Sequence, residues 1–217
     1  MINTRSQDIA DISGVNFHIV GCGAIGSSVA TQLVRLGANQ FYLYDFDKVE
    51  IPNVGVSQYN EQDVGLSKVG ALTNHMKRIN VMIEIKGIVD KFKYYEGDKD
   101  DILVLGLDSM SARMEIVKLL AQCPKKPSFV IDGRMGAEQY QQYIYDNITV
   151  KKYEKDWYSD EDSDPEPCTR KATSYCSNMS GSFISNSIKN IVMKQPYFKE
   201  IVFNFSTLIL DKKKLVS

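Results

Sequence analysis

Gly21-Cys22-Gly23-Ala24-Ile25-Gly26 is the stretch on which the fold turns. Residues 16–20 before it, NFHIV, form the short apolar run of a buried strand. Residues 24–36 after it carry Ile25, Val29, Leu33 and Leu36 at helical spacing, and Gly37 closes that helix. A G-x-G-x-x-G between a strand and a helix is the phosphate-binding turn of a dinucleotide fold. Its glycines permit a tight turn and close backbone approach, and the helix N-terminus offers unpaired amides to a phosphate. The plainer alternative is a glycine turn that only packs helix against strand. Nineteen residues past Gly26, Asp45 ends the next apolar run, 41–44, where an acid can accept hydrogen bonds from ribose hydroxyls.

Outward from this unit, strands and helices alternate. Residues 66–79 and 110–121 read as helices, and 82–88, 102–105 and 129–131 as strands. Short, wholly apolar strands joined by helices imply a parallel sheet covered on both faces. After Asp132 the pattern changes: 139–145 and 149–153 read as antiparallel additions, 201–205 and 207–210 as a closing hairpin, and DKKKLVS as a charged terminus that frays. Residues 155–167, KDWYSDEDSDPEP, repel themselves and cannot form a core, which predicts a mobile crossover loop over about 155–171. Residues 172–193 follow as a long amphipathic helix with Ala172, Tyr175, Cys176, Met179, Phe183, Ile184, Ile188, Ile191 and Val192 on one stripe. Its small residues suit a close helix contact, within the subunit or between subunits. The expected fold class is α/β: one Rossmann-like domain over 1–217, mostly parallel, with antiparallel C-terminal strands and helices on both faces.

Composition narrows the function. The 217 residues carry 26 Lys+Arg against 27 Asp+Glu, a net charge of -1, so no global positive field draws the chain to nucleic acid or an anionic membrane. No apolar stretch of about 18 residues and no signal-like start is present, and a cytoplasmic location is expected. Cys22, Cys123, Cys168 and Cys176 form no C-x-x-C pair, which argues against a disulfide framework or a zinc ribbon.

The residues after Asp45 separate the nucleotides. Asp45-Phe46-Asp47-Lys48-Val49-Glu50 runs on to Asn53 and then to Asp63-Val64-Gly65-Leu66-Ser67-Lys68. Hydride transfer has no use for this cluster. Cleavage of ATP at its α-phosphate does, because an anionic nucleophile must approach a polyanion. Lys68 is placed to neutralise phosphate, or is a solvated lysine at a helix start; Asn53 is placed to bond phosphate or ribose. Asp108 follows the strand 102–105 at the edge where open α/β sheets bind ligands. Its carboxylate suits Mg²⁺ and equally suits a cap for the helix that follows.

GCGAIG, YDFDKVEIPNVG, DVGLSK and LGLDSMSAR together resemble the ThiF/MoeB/HesA family, the ubiquitin-activating-enzyme-like adenylyltransferases, from about residue 5 to residue 210. The resemblance implies adenylation, with Mg-ATP, of the C-terminal carboxylate of a ubiquitin-like protein or a peptide. It makes Gly21, Gly23 and Gly26 the phosphate turn, Asp45 the ribose acid with Asp47 beside it, Asn53 and Lys68 ATP contacts, and Asp108 the magnesium-linked catalytic aspartate. Arg5 in TRSQD resembles an arginine that reaches the ATP of a neighbouring subunit, which implies a homodimer; it also reads as an exposed residue of a loose terminus. Cys168, before Arg170 and Lys171, resembles the cysteine that takes the acyl group as a thioester, and otherwise reads as a surface thiol. Asp132-Gly133-Arg134-Met135-Gly136 is similar to a segment of one prokaryotic and phage-associated branch. Arg134 there either faces the site or pairs with an acid. One departure stands out. Many relatives carry N-x-x-R-Q from the position of Asn53, and this chain has Val54-Gly55-Val56-Ser57-Gln58 instead. An inactive partner-binding scaffold therefore stays open, as does an NAD(P)-dependent oxidoreductase on the glycine turn and Asp45 alone.

Overall fold

A computed structural model describes residues 8–161 and 172–216. Eight strands of these residues form one sheet, in the order third, second, first and then fourth to eighth along the chain. The parallel half comprises β1 (Asn16–Val20), β2 (Gln40–Tyr44), β3 (Glu84–Ile88), β4 (Ile102–Leu105) and β5 (Phe129–Gly136). The antiparallel half adds β6 (Gln139–Asp146), β7 (Tyr197–Asn204) and β8 (Ile209–Val216). The mixed, mostly parallel architecture expected from the sequence is the one found.

One face is covered by α1 (Ala24–Leu36), α3 (Lys68–Ile79) and α6 (Ser174–Val192), whose apolar residues join Phe17, Ile19, Phe41, Leu43, Val104 and Ile131 in one core. The other face is covered by α4 (Met110–Gln122), which packs Met114, Val117 and Leu120 with Val20, Leu103, Leu105 and Val130. Parallel strands buried on both faces must be apolar on both, which is why they read as continuous hydrophobic runs. The small residues of α6 serve packing inside the subunit. Gly181 lies against Ser28 of α1, Ser177 Oγ donates to Ala24 O at 2.9 Å, and Gln32 Nε2 donates to Asn178 O at 3.0 Å. Tyr175, expected on the apolar stripe, is largely exposed.

Several local expectations are corrected. β5 continues past residue 131 to Gly136 through antiparallel pairing with β6, and the buried polar residues Asp132 and Arg134 interrupt the apolar run that marks it in the sequence. Residues 149–153 are no strand. Asn147 has φ 47, which ends β6, and Thr149 then caps the short helix α5 (Val150–Tyr153) by accepting from Lys152 N. The C-terminal tail does not fray through residue 216: β8 extends to Val216, paired with Tyr197. A short helix α2 (Ile51–Val54) fills the connection after β2.

Candidate functional site

The carboxyl ends of β1, β2 and β4 meet where the strand order reverses, the place at which open α/β sheets form a ligand crevice. Gly21 leaves β1 with φ +89, in the left-handed region, and a Cβ there would stand 2.7 Å from Gly106 O in the turn after β4. A Cβ on Gly26 would collide with Gly21 O itself. Both positions therefore require glycine. Gly23 caps α1 without a side-chain bond, and no acid lies in the first turn. The first amides of α1 keep their partial positive charge.

Asp45, directly after β2, is almost fully buried and accepts from Cys22 N at 2.7 Å and from Asp47 N at 2.8 Å. Burial raises its pKa, against the pull of those amides and of Lys68. Lys68 opens α3. Its Nζ donates to Asp47 Oδ2 at 2.8 Å and its backbone amide to Asp47 O at 2.9 Å. Burial works against the ammonium, but the Asp47 hydrogen bond and the charges of Asp45, Asp47 and Asp108 outweigh it and raise its pKa. With a side chain only 12% exposed, Lys68 is not a solvated surface lysine. Asn53 Oδ1 accepts from Glu50 N at 2.9 Å within the capping box of α2, so its oxygen is engaged and its amide hydrogens remain.

Asp108 is exposed, in the turn between β4 and α4. It is not the helix cap. Ser109 is, accepting from Ala112 N at 3.2 Å. Tyr59 is a further residue of the site: its buried hydroxyl donates to Cys22 O at 2.6 Å and lies 3.2 Å from Lys68 O, tying the glycine turn to the start of α3. Nothing in its local sequence signals this, because the contact is made across the fold.

A second charged group lies behind the β4–α4 turn. Asp132 on β5 is fully buried and pairs with Arg113 of α4 and Arg134 of β5, themselves buried. Arg134 Nε donates to Asp132 Oδ2 at 2.8 Å and its terminal nitrogen to Asp156 O at 2.6 Å, with its guanidinium over the Tyr143 and Tyr158 rings. Of its two sequence readings, pairing with an acid is the one observed. The first part of the expected crossover loop is anchored. Asp156 Oδ2 accepts from Tyr145 OH at 3.0 Å, Trp157 Nε1 donates to Met110 O at 2.9 Å, and Asp160 accepts from the backbone of α4. Arg5 and Cys168 lie outside the described residues, as does the rest of the loop over 162–171. Among the described residues no helix is long and apolar enough to cross a membrane.

Known proteins resemble the chain in sequence over part of its length and in fold over nearly all of it. Ubiquitin-like modifier-activating enzyme 5 of Caenorhabditis briggsae is 32% identical over 117 residues, which is 54% of this chain and 27% of that protein. The Gallus gallus protein of the same name is 31% identical over 126 residues, 51% of this chain and 32% of that one. The chain thus spans about a quarter to a third of the length of these relatives. Among solved structures, E. coli MccB with ATP superposes with a TM-score of 0.72 at 16% identity, over 96% of this chain and 65% of that one. PaaA does so with a TM-score of 0.72 at 14% identity, over 94% and 64%. At such identities the likeness is one of fold. The sequence model of the ThiF family matches residues 2–209, nearly the whole length, and the chain belongs to the ThiF family.

Proposed function

We propose that the chain adenylates the C-terminal carboxylate of a ubiquitin-like protein or a peptide, using ATP. The observation that carries this reading is the convergence of the α1 N-terminus, free of any side-chain cap, with Asp45, the Lys68–Asp47 pair and Asp108 at one switch point. The relatives named as modifier-activating enzymes and the MccB structures with ATP and with MccA support the same class. In this reading Asp45 accepts from the ribose and the α1 amides face phosphate. Lys68, held protonated by its carboxylate neighbours, offsets the charge that keeps a carboxylate from a polyanion. The substrate carboxylate forms a bond to the α-phosphorus, the bond to the bridging oxygen breaks, and pyrophosphate leaves with that electron pair. A nicotinamide reaction leaves Lys68 and Asp108 without a task.

Among the described residues no three His, Cys, Asp or Glu side chains form a metal cage. One exposed carboxylate at a phosphate site nevertheless fits Mg²⁺, which retains waters and takes one or two protein carboxylates. Asp108 would hold it, where the ion neutralises phosphate charge when bound. Cys168 then takes the acyl group: its thiolate sulfur bonds the acyl carbon and AMP leaves with the carboxyl oxygen. Arg5 reaches the site of a second copy in a homodimer.

ATP–pyrophosphate exchange with the cognate carboxylate tests the reading. Asp108→Ala is expected to lower exchange by about 100-fold or more, and exchange indifferent to that change overturns the mechanism. Cys168→Ala is expected to spare exchange and lose the thioester. Mixing Arg5→Ala with Asp108→Ala subunits restores part of the activity if sites are shared. The absent N-x-x-R-Q arginine favours one second reading, a partner-binding scaffold, and calorimetry separates the two: partner binding without Mg-ATP binding selects the scaffold.

A further inference from the structure

Asp108 sits in a turn that is gripped from both sides by charged groups. On the inner side is Arg113. One terminal nitrogen of its guanidinium donates to Leu105 O at 3.3 Å and to Asp132, and the other to Leu107 O, the carbonyl directly before Asp108. On the outer side is Asp160. Its Oδ1 accepts from Met110 N at 2.6 Å, and its Oδ2 from Ser111 N at 3.1 Å and Ser109 Oγ at 3.2 Å. The two grips are joined. Asp132 binds Arg113 and Arg134 together, and Arg134 holds Asp156 O, four residues before Asp160. Tyr153 OH completes Asp132 by donating to Oδ2 at 2.9 Å.

We propose that Arg113 and Asp160 are positioning residues for Asp108, clamping the turn 105–111 so that its carboxylate is presented at the sheet edge. The inference deepens the adenylation reading and rests on it for its effect on rate, though not for its effect on the turn. The geometry favours positioning over simple stability. Arg113 shares Asp132 with Arg134 as its counter-charge, and its remaining hydrogen bonds all go to carbonyls of one turn. Asp160 is exposed and contributes little burial, yet its carboxylate engages three donors of the residues that follow Asp108. A turn held at both ends has lost the backbone freedom that would otherwise spread the position of the side chain between them. A catalytic group displaced by about 1 Å loses up to about 100-fold in rate.

The tests are Arg113→Lys, which keeps charge but not the fork of donors, and Asp160→Ala, an exposed change that leaves the core intact. Amide hydrogen exchange on the full chain reads the clamp directly. Each variant is expected to speed exchange at residues 106–111, with the sheet amides unchanged. Exchange unaltered there, or raised evenly across the sheet, overturns the proposal. In ATP–pyrophosphate exchange each variant is expected to lower kcat about tenfold or more, with affinity for Mg-free ADP held. On an Asp108→Asn background the same changes are expected to cost nothing further, and an undiminished loss there refutes positioning. A wild-type chain with no exchange activity overturns the adenylation reading instead, and amide exchange still decides the clamp.

Discussion

Asp45 and Asp132 stand at the same carboxyl edge of the sheet and are both buried, yet their protonation is pushed in opposite directions. Burial raises the pKa of Asp45, whose partners are two backbone amides and a lysine already bonded to Asp47. Burial acts on Asp132 too, but Arg113 and Arg134 overcome it, with the Arg134 and Tyr153 hydrogen bonds adding to the effect, and lower the pKa. The first carboxylate is under-compensated, a condition that a hydroxyl donor from a ligand would relieve. The second is saturated by two guanidinium groups and a phenol. The carboxylate at the crevice keeps unused acceptor capacity, whereas the one behind it is enclosed between two guanidinium groups.

That contrast can be broken most forcefully at Asp132. Asp132→Asn leaves two buried arginines without a counter-charge and is expected to destabilise the fold by about 3–5 kcal/mol, read from urea unfolding. A loss no larger than that of Asp45→Asn would erase the distinction. Acid titration examines the same pair with less force. The lowered pKa of Asp132 contributes stability that is full above the ordinary carboxylate value near 3.8 and is lost as pH falls through its folded value. The raised pKa of Asp45 runs the other way: its contribution is full below that value and is lost as pH rises through its folded one. In thermal melts across about pH 2 to 6, Asp132→Asn is therefore expected to flatten the acid limb below the ordinary carboxylate value, and Asp45→Asn to remove a weakening that develops toward higher pH.

Gly26→Ala comes next. The added methyl meets Gly21 O, so the glycine turn must shift, at about 1–3 kcal/mol, and the stabilisation of the melting temperature by ATP should vanish. Lys68→Ala is the smallest change in stability, below about 1 kcal/mol because Asp47 is half exposed, while ATP affinity falls by about tenfold or more. A large stability loss at Lys68 with ATP affinity intact would place it with Asp132 rather than with Asp45.

The legible and illegible parts of the molecule divide along a similar line. The β1–α1–β2 unit could be read because each step has a local cause: an apolar run, glycines that no side chain can replace, and helical spacing. Local pattern fails at β5, where Asp132 and Arg134 break the apolar run, and at Val150–Tyr153, where the Thr149 cap turns an apparent strand into a helix. The Lys-rich tail was expected to fray because its residues are exposed, but backbone pairing with β7 does not depend on burial. At the candidate site, motif and position single out Asp45, Lys68 and Asp108. They do not single out Tyr59, Arg113 and Asp160, since their partners lie 37, 19 and 50 residues away.

From the sequence alone came the glycine turn, the alternation of strands and helices, and the family. Each depends on neighbours a few residues apart, where steric permission and periodicity act. Tertiary structure alone decided which charges face the crevice and which are sealed behind it. A carboxylate has the same letter in both places, and only packing determines whether its counter-charge comes from a distant arginine or is left for a ligand.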